Sequence, residues 1–85
     1  MTKPRGFPNV ATSAFVVAFA DMRTGVILKL DGTIAAGDSS AFVVFDDLKS
    51  ARRFAEACTA RQPRWEGHVF AATGDIVASF FPRDP

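Results

Sequence analysis

The densest run of chemically capable side chains in this 85-residue sequence is basic: Arg52, Arg53, Arg61 and Arg64, with Trp65 alongside. Guanidinium groups pair with phosphate or carboxylate, and an indole is a stacking platform. The region is therefore a candidate site for single-stranded nucleic acid, a small anion or an acidic partner. The competing reading is a solvated helix face, in which Glu56, three residues from Arg53, offers a pair worth about 0.2–0.5 kcal/mol. Asp46, Asp47 and Glu66 nearby, and a net charge of only +1, favour that structural account. His68 completes the candidate binding set. It alternates with Glu66 and Phe70, so it can pair with Glu66, sit at an exposed edge, face an interface or, by residue type, sense pH. Cys58 falls on an apolar helical stripe, where a thiol behaves as a small hydrophobe rather than a nucleophile. Asp46-Asp47 could be a carboxylate pair for acid/base work, but a helix N-terminus already accounts for both.

Two short stretches resemble known families. Gly37-Asp38-Ser39, following the apolar run Thr33 to Ala36, resembles the first block of the GDSL-type esterases and lipases, which implies Ser39 as a nucleophile. Those enzymes also need an Asp and a His near the end of a much longer α/β chain. Here the position three before His68 is Trp65. Ala41-Phe42-Val43-Val44-Phe45, followed by Asp46 and a helix with Ala51 and Ala55, resembles the third strand and second helix of the RNA recognition motif family. That resemblance implies Phe42 as a base-stacking residue. The head of the motif departs from the family: Asp38 stands where a base is expected, Ser39 for Gly, and Ser40 for the stacking aromatic.

The elements that must position these residues are bounded by composition. At 48% hydrophobic the chain is too apolar for a disordered protein, and its length fits one domain. One Cys and one His exclude an intramolecular disulfide and a four-ligand structural zinc site; no cofactor is expected. Nine Phe, one Trp and no Tyr place nearly all the aromatic area in a core or a dry interface. Arg outnumbers Lys seven to three and Ala is the commonest residue, a bacterial-like bias that carries no function. The longest apolar run, Ala14 to Ala20, has seven residues against the about 20 a membrane helix needs. Lys3, Arg5 and the stretch Val10 to Ala20 mimic a secretory signal cleaved after Ala20. Phe and Val without Leu suit a strand better, so a cytoplasmic location is expected.

Residues 1–11, with Pro4, Gly6 and Pro8, read as an extended N-terminal arm, and residues 12–82 as a single domain. Strands are predicted at Ala14 to Ala20, Val26 to Leu30, Ala41 to Phe45, Trp65 to Ala71 and Ile76 to Phe80, with a short one after the Asp31-Gly32 turn. A helix opens at Asp46 or Asp47, buries Leu48, Ala51, Phe54, Ala55 and Cys58, and stops before Pro63. The expectation is an α+β fold: two layers, a four- to five-stranded mainly antiparallel sheet and one helix, in the order β-β-(β)-β-α-β-β.

One helix roughly 10 Å wide covers only one face of a sheet near 20 Å across. The second face, carrying Val16, Ile27 or Val43 and Phe45 according to register, is then an apolar patch awaiting a partner. A homodimer through sheet faces or edges, or a permanent protein partner, is expected. The alternative is that Phe7 and Val10 of the arm fold over that face. The sequence identifies no specific role. It fits a small non-catalytic protein acting by self-association or protein–protein interaction, with nucleic-acid or anion binding through the Arg/Trp65 region as the second class.

Overall fold

The computed structural model describes residues 4–82. Five strands form one antiparallel sheet: β1 (Phe15–Asp21), β2 (Ile27–Leu28), β3 (Val43–Phe45), β4 (Trp65–Ala71) and β5 (Ile76–Phe80). A single α-helix, α1 (Leu48–Arg61), packs on it, so the chain has the expected α+β fold. β1 is central and apolar on both faces: Val16, Val17, Ala18 and Phe19 are all fully buried. It pairs with β4 along its whole length, from Phe15 opposite Ala71 to Asp21 opposite Trp65. Its other edge is shared, with β3 taking Phe15 to Val17 and β2 taking Phe19 and Ala20. β5 lies outermost, hydrogen-bonded to β4.

That sharing shortens two expected strands. The predicted strand Val26 to Leu30 is reduced to Ile27–Leu28, joined to the chain after Asp31-Gly32 by a single bridge, Leu28 to Ile34. Ala41 is drawn out of the predicted strand into a 3-10 turn (Ser39–Ala41) whose first free N–H, on Ser40, donates to the Asp38 carboxylate at 2.9 Å. The RNA recognition motif resemblance implies a helix between the first two strands, but β1 and β2 are joined by a turn and no helix separates them.

α1 begins as expected. Asp47 is the N-cap, its carboxylate accepting from the Ser50 N–H at 2.8 Å and the Ser50 hydroxyl at 2.9 Å. The helix presses Ala51 and Ala55 against Val17, Phe19 and Val69, with Leu48, Phe54, Cys58, Phe45, Trp65 and Phe80 around them. Thr59, which the apolar stripe omits, is buried too; its hydroxyl donates to the carbonyls of Ala55 and Glu56. Its methyl faces Gly67, where an added Cβ would lie 3.1 Å from Thr59 Cγ2 and 3.0 Å from the Phe19 ring. Gly67 is thus the point of closest approach between helix and sheet.

The opposite sheet face does not await a partner. Val16, Ala18 and Phe70 are covered by Ala35, Ala41 and Phe42 of the loop before β3, and by Phe7 and Val10 of the arm. Phe7 sits edge-on to both Phe42 and Phe70, at 5.6 and 5.7 Å between ring centroids. The arm passes close against the loop backbone: a Cβ on Gly6 would collide with the Gly37 carbonyl oxygen, and Gly6 has φ +83°, a conformation that favours glycine. The four residues expected at one exposed interface are therefore divided. Val16 is fully buried and Ile27 packs beside it under the arm; Phe45 lies on the helix side against the Phe54 ring, and Val43, two residues along the same strand, shares that face. The reason is that an aperiodic segment, not a second copy, covers the second face.

Candidate functional site

The basic residues do not converge. Arg52 and Arg61 are nine residues apart on α1, about half a rotation at roughly 100° per residue, so they leave the helix on opposite flanks. On the β5 flank, Leu48, Lys49, Arg52, Arg53 and Glu56 line a groove of about 460 Å³ whose other wall is Phe80. The Arg52 guanidinium lies 6.0 Å from the centre of the Phe80 ring, within the range at which a cation is attracted to a ring face. Further along, Glu56, Thr59 and Ala60 continue the trough against Phe80 and Phe81. Three cations to one carboxylate give the groove a positive wall, and Leu48 and the phenyl rings give it an apolar floor.

On the far flank, Arg61 and Trp65 do meet. They line a smaller hollow of about 320 Å³ with Leu30, Phe54, Cys58 and Gln62. Trp65 is half-buried, its ring 5.5 Å from that of Phe19, so the indole is a wall of the core more than a free platform. Arg64 is exposed beyond the helix end, and its carbonyl accepts from the Met22 N–H.

His68 lies on the opposite sheet face, apart from all of these. Its Nε2 is 3.2 Å from the Glu66 carboxylate and its Nδ1 is 2.8 Å from the Ser79 hydroxyl oxygen. The imidazole is edged by the Phe70 and Phe81 rings at 6.3 and 6.4 Å. The pairing with Glu66 is one the alternation of β4 allows; Ser79 was missed. A signal for it exists. Strands Trp65–Ala71 and Ile76–Phe80 joined by the turn Ala72-Thr73-Gly74-Asp75 place residue 79 opposite residue 68, and those two residues are opposite each other, although nearer the turn a bulge sets Phe70 opposite Ile76 rather than Val77.

The remaining motifs resolve structurally. Phe42 is buried under Phe7, which withdraws the base-stacking role implied for it. Ser39 opens the 3-10 turn, and its neighbour Asp38 serves as cap and as ion-pair partner of Lys29 at 3.2 Å. The hydrogen bonds of His68 run to Ser79 and Glu66 rather than to Ser39. The Asp47 carboxyl is held below the ordinary carboxylate range chiefly by the Ser50 N–H, and Asp38 likewise by the Ser40 N–H and then by Lys29. Asp31 is lowered by the Thr33 hydroxyl and N–H. Among the described residues no group of three His, Cys, Asp or Glu side chains could hold a metal ion, and no helix is long and apolar enough to cross a membrane. No protein-family model matches the chain, nor does any curated protein or solved structure.

Proposed function

We propose that the protein is an interaction module that captures an extended, acidic segment of another protein in the groove between α1 and β5. The observation that carries the reading is that groove itself: a free sheet edge on one side, and on the other a helix flank bearing Lys49, Arg52 and Arg53. Among the described residues no strand covers the outer edge of β5, so its unpaired backbone groups can accept an added strand. Ile76, Val77 and Phe81 are exposed along this edge, and Pro82 ends the usable length just beyond it. An acidic occupant is favoured over a second copy, because pairing β5 with itself would set two cation-rich helix flanks on the same side of the joined sheet. It is favoured over nucleic acid because Arg61 and Arg64 lie away from Arg52 and Arg53 rather than extending one basic track. A cytoplasmic location accords with this reading: cleavage after Ala20 would remove all but the last residue of the central strand.

The test is fluorescence anisotropy with a labelled octapeptide of alternating glutamate and valine, against one of alternating lysine and valine and against a single-stranded oligothymidylate. Binding of the glutamate peptide alone is expected, weakened at least about tenfold by Arg52→Glu or Arg53→Glu. Equal binding of the lysine peptide, or preference for the oligonucleotide, overturns the proposal. A dimer by analytical ultracentrifugation that survives Arg52→Glu would restore self-association.

A further inference from the structure

The Glu66, His68 and Ser79 trio is independent of the groove and uses side chains on the other sheet face. Its hydrogen bonds fix a direction. A carboxylate can only accept, so the Glu66 oxygen at 3.2 Å draws the ring proton to His68 Nε2. Nδ1 is then the unprotonated nitrogen, and at 2.8 Å it accepts the Ser79 hydroxyl proton. A hydroxyl bonded to a base, with the base oriented by a carboxylate, is the arrangement that activates serine nucleophiles, here with the two ring nitrogens exchanged.

The surroundings suit this chemistry. The side chains of His68 and Glu66 are 15% and 22% exposed, so their bond is partly screened from water, whereas Ser79 is open to solvent. Neighbouring strands hold the trio without a loop, since Ser79 is directly opposite His68 in the ladder. Phe81, edge-on to His68 and 60% exposed, and Ile76, opposite Phe70 and 54% exposed, offer an apolar shelf beside the hydroxyl.

We propose that Ser79, activated by His68 and positioned through it by Glu66, is an acylation site for activated carboxylic esters with a small apolar acyl group. In the step, Ser79 Oγ attacks the carbonyl carbon, and its proton passes to His68 Nδ1. The new C–O bond forms as the ester's own C–O bond breaks, and the departing alkoxide or phenoxide recovers the proton from His68. The products are O-acyl-Ser79 and a free alcohol; no redox change or further reactant is involved.

The experiment treats the full chain with p-nitrophenyl acetate, following nitrophenol release and locating acetyl groups by peptide mass spectrometry. Ser39 and Ser40 are exposed serines in the same molecule and serve as internal controls. Ser79 is expected to acetylate about a hundredfold faster than either, within the range that positioned general bases supply. The rate should fall on acidification, because general-base catalysis needs an unprotonated imidazole. Glu66 is the charged side chain in contact with it, the other neighbours being Ser79 and the two phenyl rings. His68→Phe should bring Ser79 down to the control rate. Glu66→Gln, which keeps an acceptor but frees the ring tautomer, should lower the rate and move its pH profile, which a merely structural role would not do. If Ser79 is labelled no faster than Ser39, or as fast in His68→Phe, the proposal is wrong.

Discussion

Docking of the N-terminal arm converts an exposed apolar sheet face into a second core, and Phe7→Ala tests how much depends on it. A fully buried Phe truncated to Ala costs about 3–5 kcal/mol. Phe7 is only partly buried, but it has two edge-on aromatic partners, Phe42 and Phe70, each pair worth about 0.5–1.5 kcal/mol beyond area. The expected loss is about 2–3 kcal/mol, a substantial share of the about 4–13 kcal/mol available to a domain of this size. At about 4–8 °C per kcal/mol, the melting midpoint should fall by about 10–20 °C.

The loss has an upper limit, because once the arm leaves, further damage to it costs nothing. Gly6→Ala should release the arm by a different route: a Cβ there meets the Gly37 carbonyl and is forced into a left-handed conformation. The double variant Gly6→Ala/Phe7→Ala should therefore be no less stable than the worse single variant, a strong departure from additivity. Both should expose Val16, Phe42 and Phe70, read as binding of an apolar dye and as concentration-dependent light scattering. A Phe7→Ala variant within about 0.5 kcal/mol of the parent in urea unfolding, or fully additive singles, would refute the claim that the arm covers this face.

Gly67→Ala should destabilise by about 1–3 kcal/mol in denaturant unfolding, because the new methyl is pressed between the fully buried Phe19 ring and Thr59; a neutral result would mean α1 can shift off the sheet freely. Asp47, Asp38 and Asp31 have folded-state pKa values below the ordinary range, so they add stability above their unfolded pKa that disappears as pH falls through the folded one. Melting midpoints should be flat from neutrality to mildly acidic pH and drop in the acid range, and Asp47→Asn, which keeps the capping oxygen, should flatten part of that drop. Phe54→Ala should widen the hollow beside Trp65 and red-shift its fluorescence, as the ring packs on Phe19 and Phe45 at the Trp65 side of α1; unchanged emission would place the indole outside that cluster.

What the sequence made legible follows the range of each signal. β4, β5 and α1 match their expected spans because alternation, an Asp cap and Pro63 act within a few residues. β2 and β3 do not, because their lengths are set by one edge of β1 that they share, and nothing in either segment records the other's claim. The cover of the second face was hidden for the same reason: Phe7 and Val10 carry no periodicity, and the close approach beside them brings Gly6 to Gly37 across thirty-one positions. The basic cluster was misleading because proximity in sequence on a helix says nothing about azimuth until the spacing is converted to rotation.

The two sheet faces end with different kinds of surface, and β5 is why. On β1 and at Val69-Phe70 of β4 alternation sends side chains into two apolar cores, which leaves Glu66 and His68, nearer the other end of β4, as the polar chemistry beside β5. β5 is the edge, and beyond it neither the helix nor the arm gives complete cover: Phe80 is left half-buried toward α1, while Ser79 is exposed beside His68 on the opposite face. One short strand therefore borders both the cationic groove and the Ser79–His68–Glu66 trio, with adjacent residues facing each. A bulge between Val69 and Phe70 sets where that alternation begins. Deleting Val77, the residue that the bulge leaves over, should move Ser79 and Phe80 together or neither. Nitrophenyl ester reactivity and glutamate-peptide binding should then change in the same variant although the Ser79–His68–Glu66 trio and the Lys49, Arg52 and Arg53 wall have no side chain in common. A variant that folds with one altered and the other intact would show that strand register does not couple them.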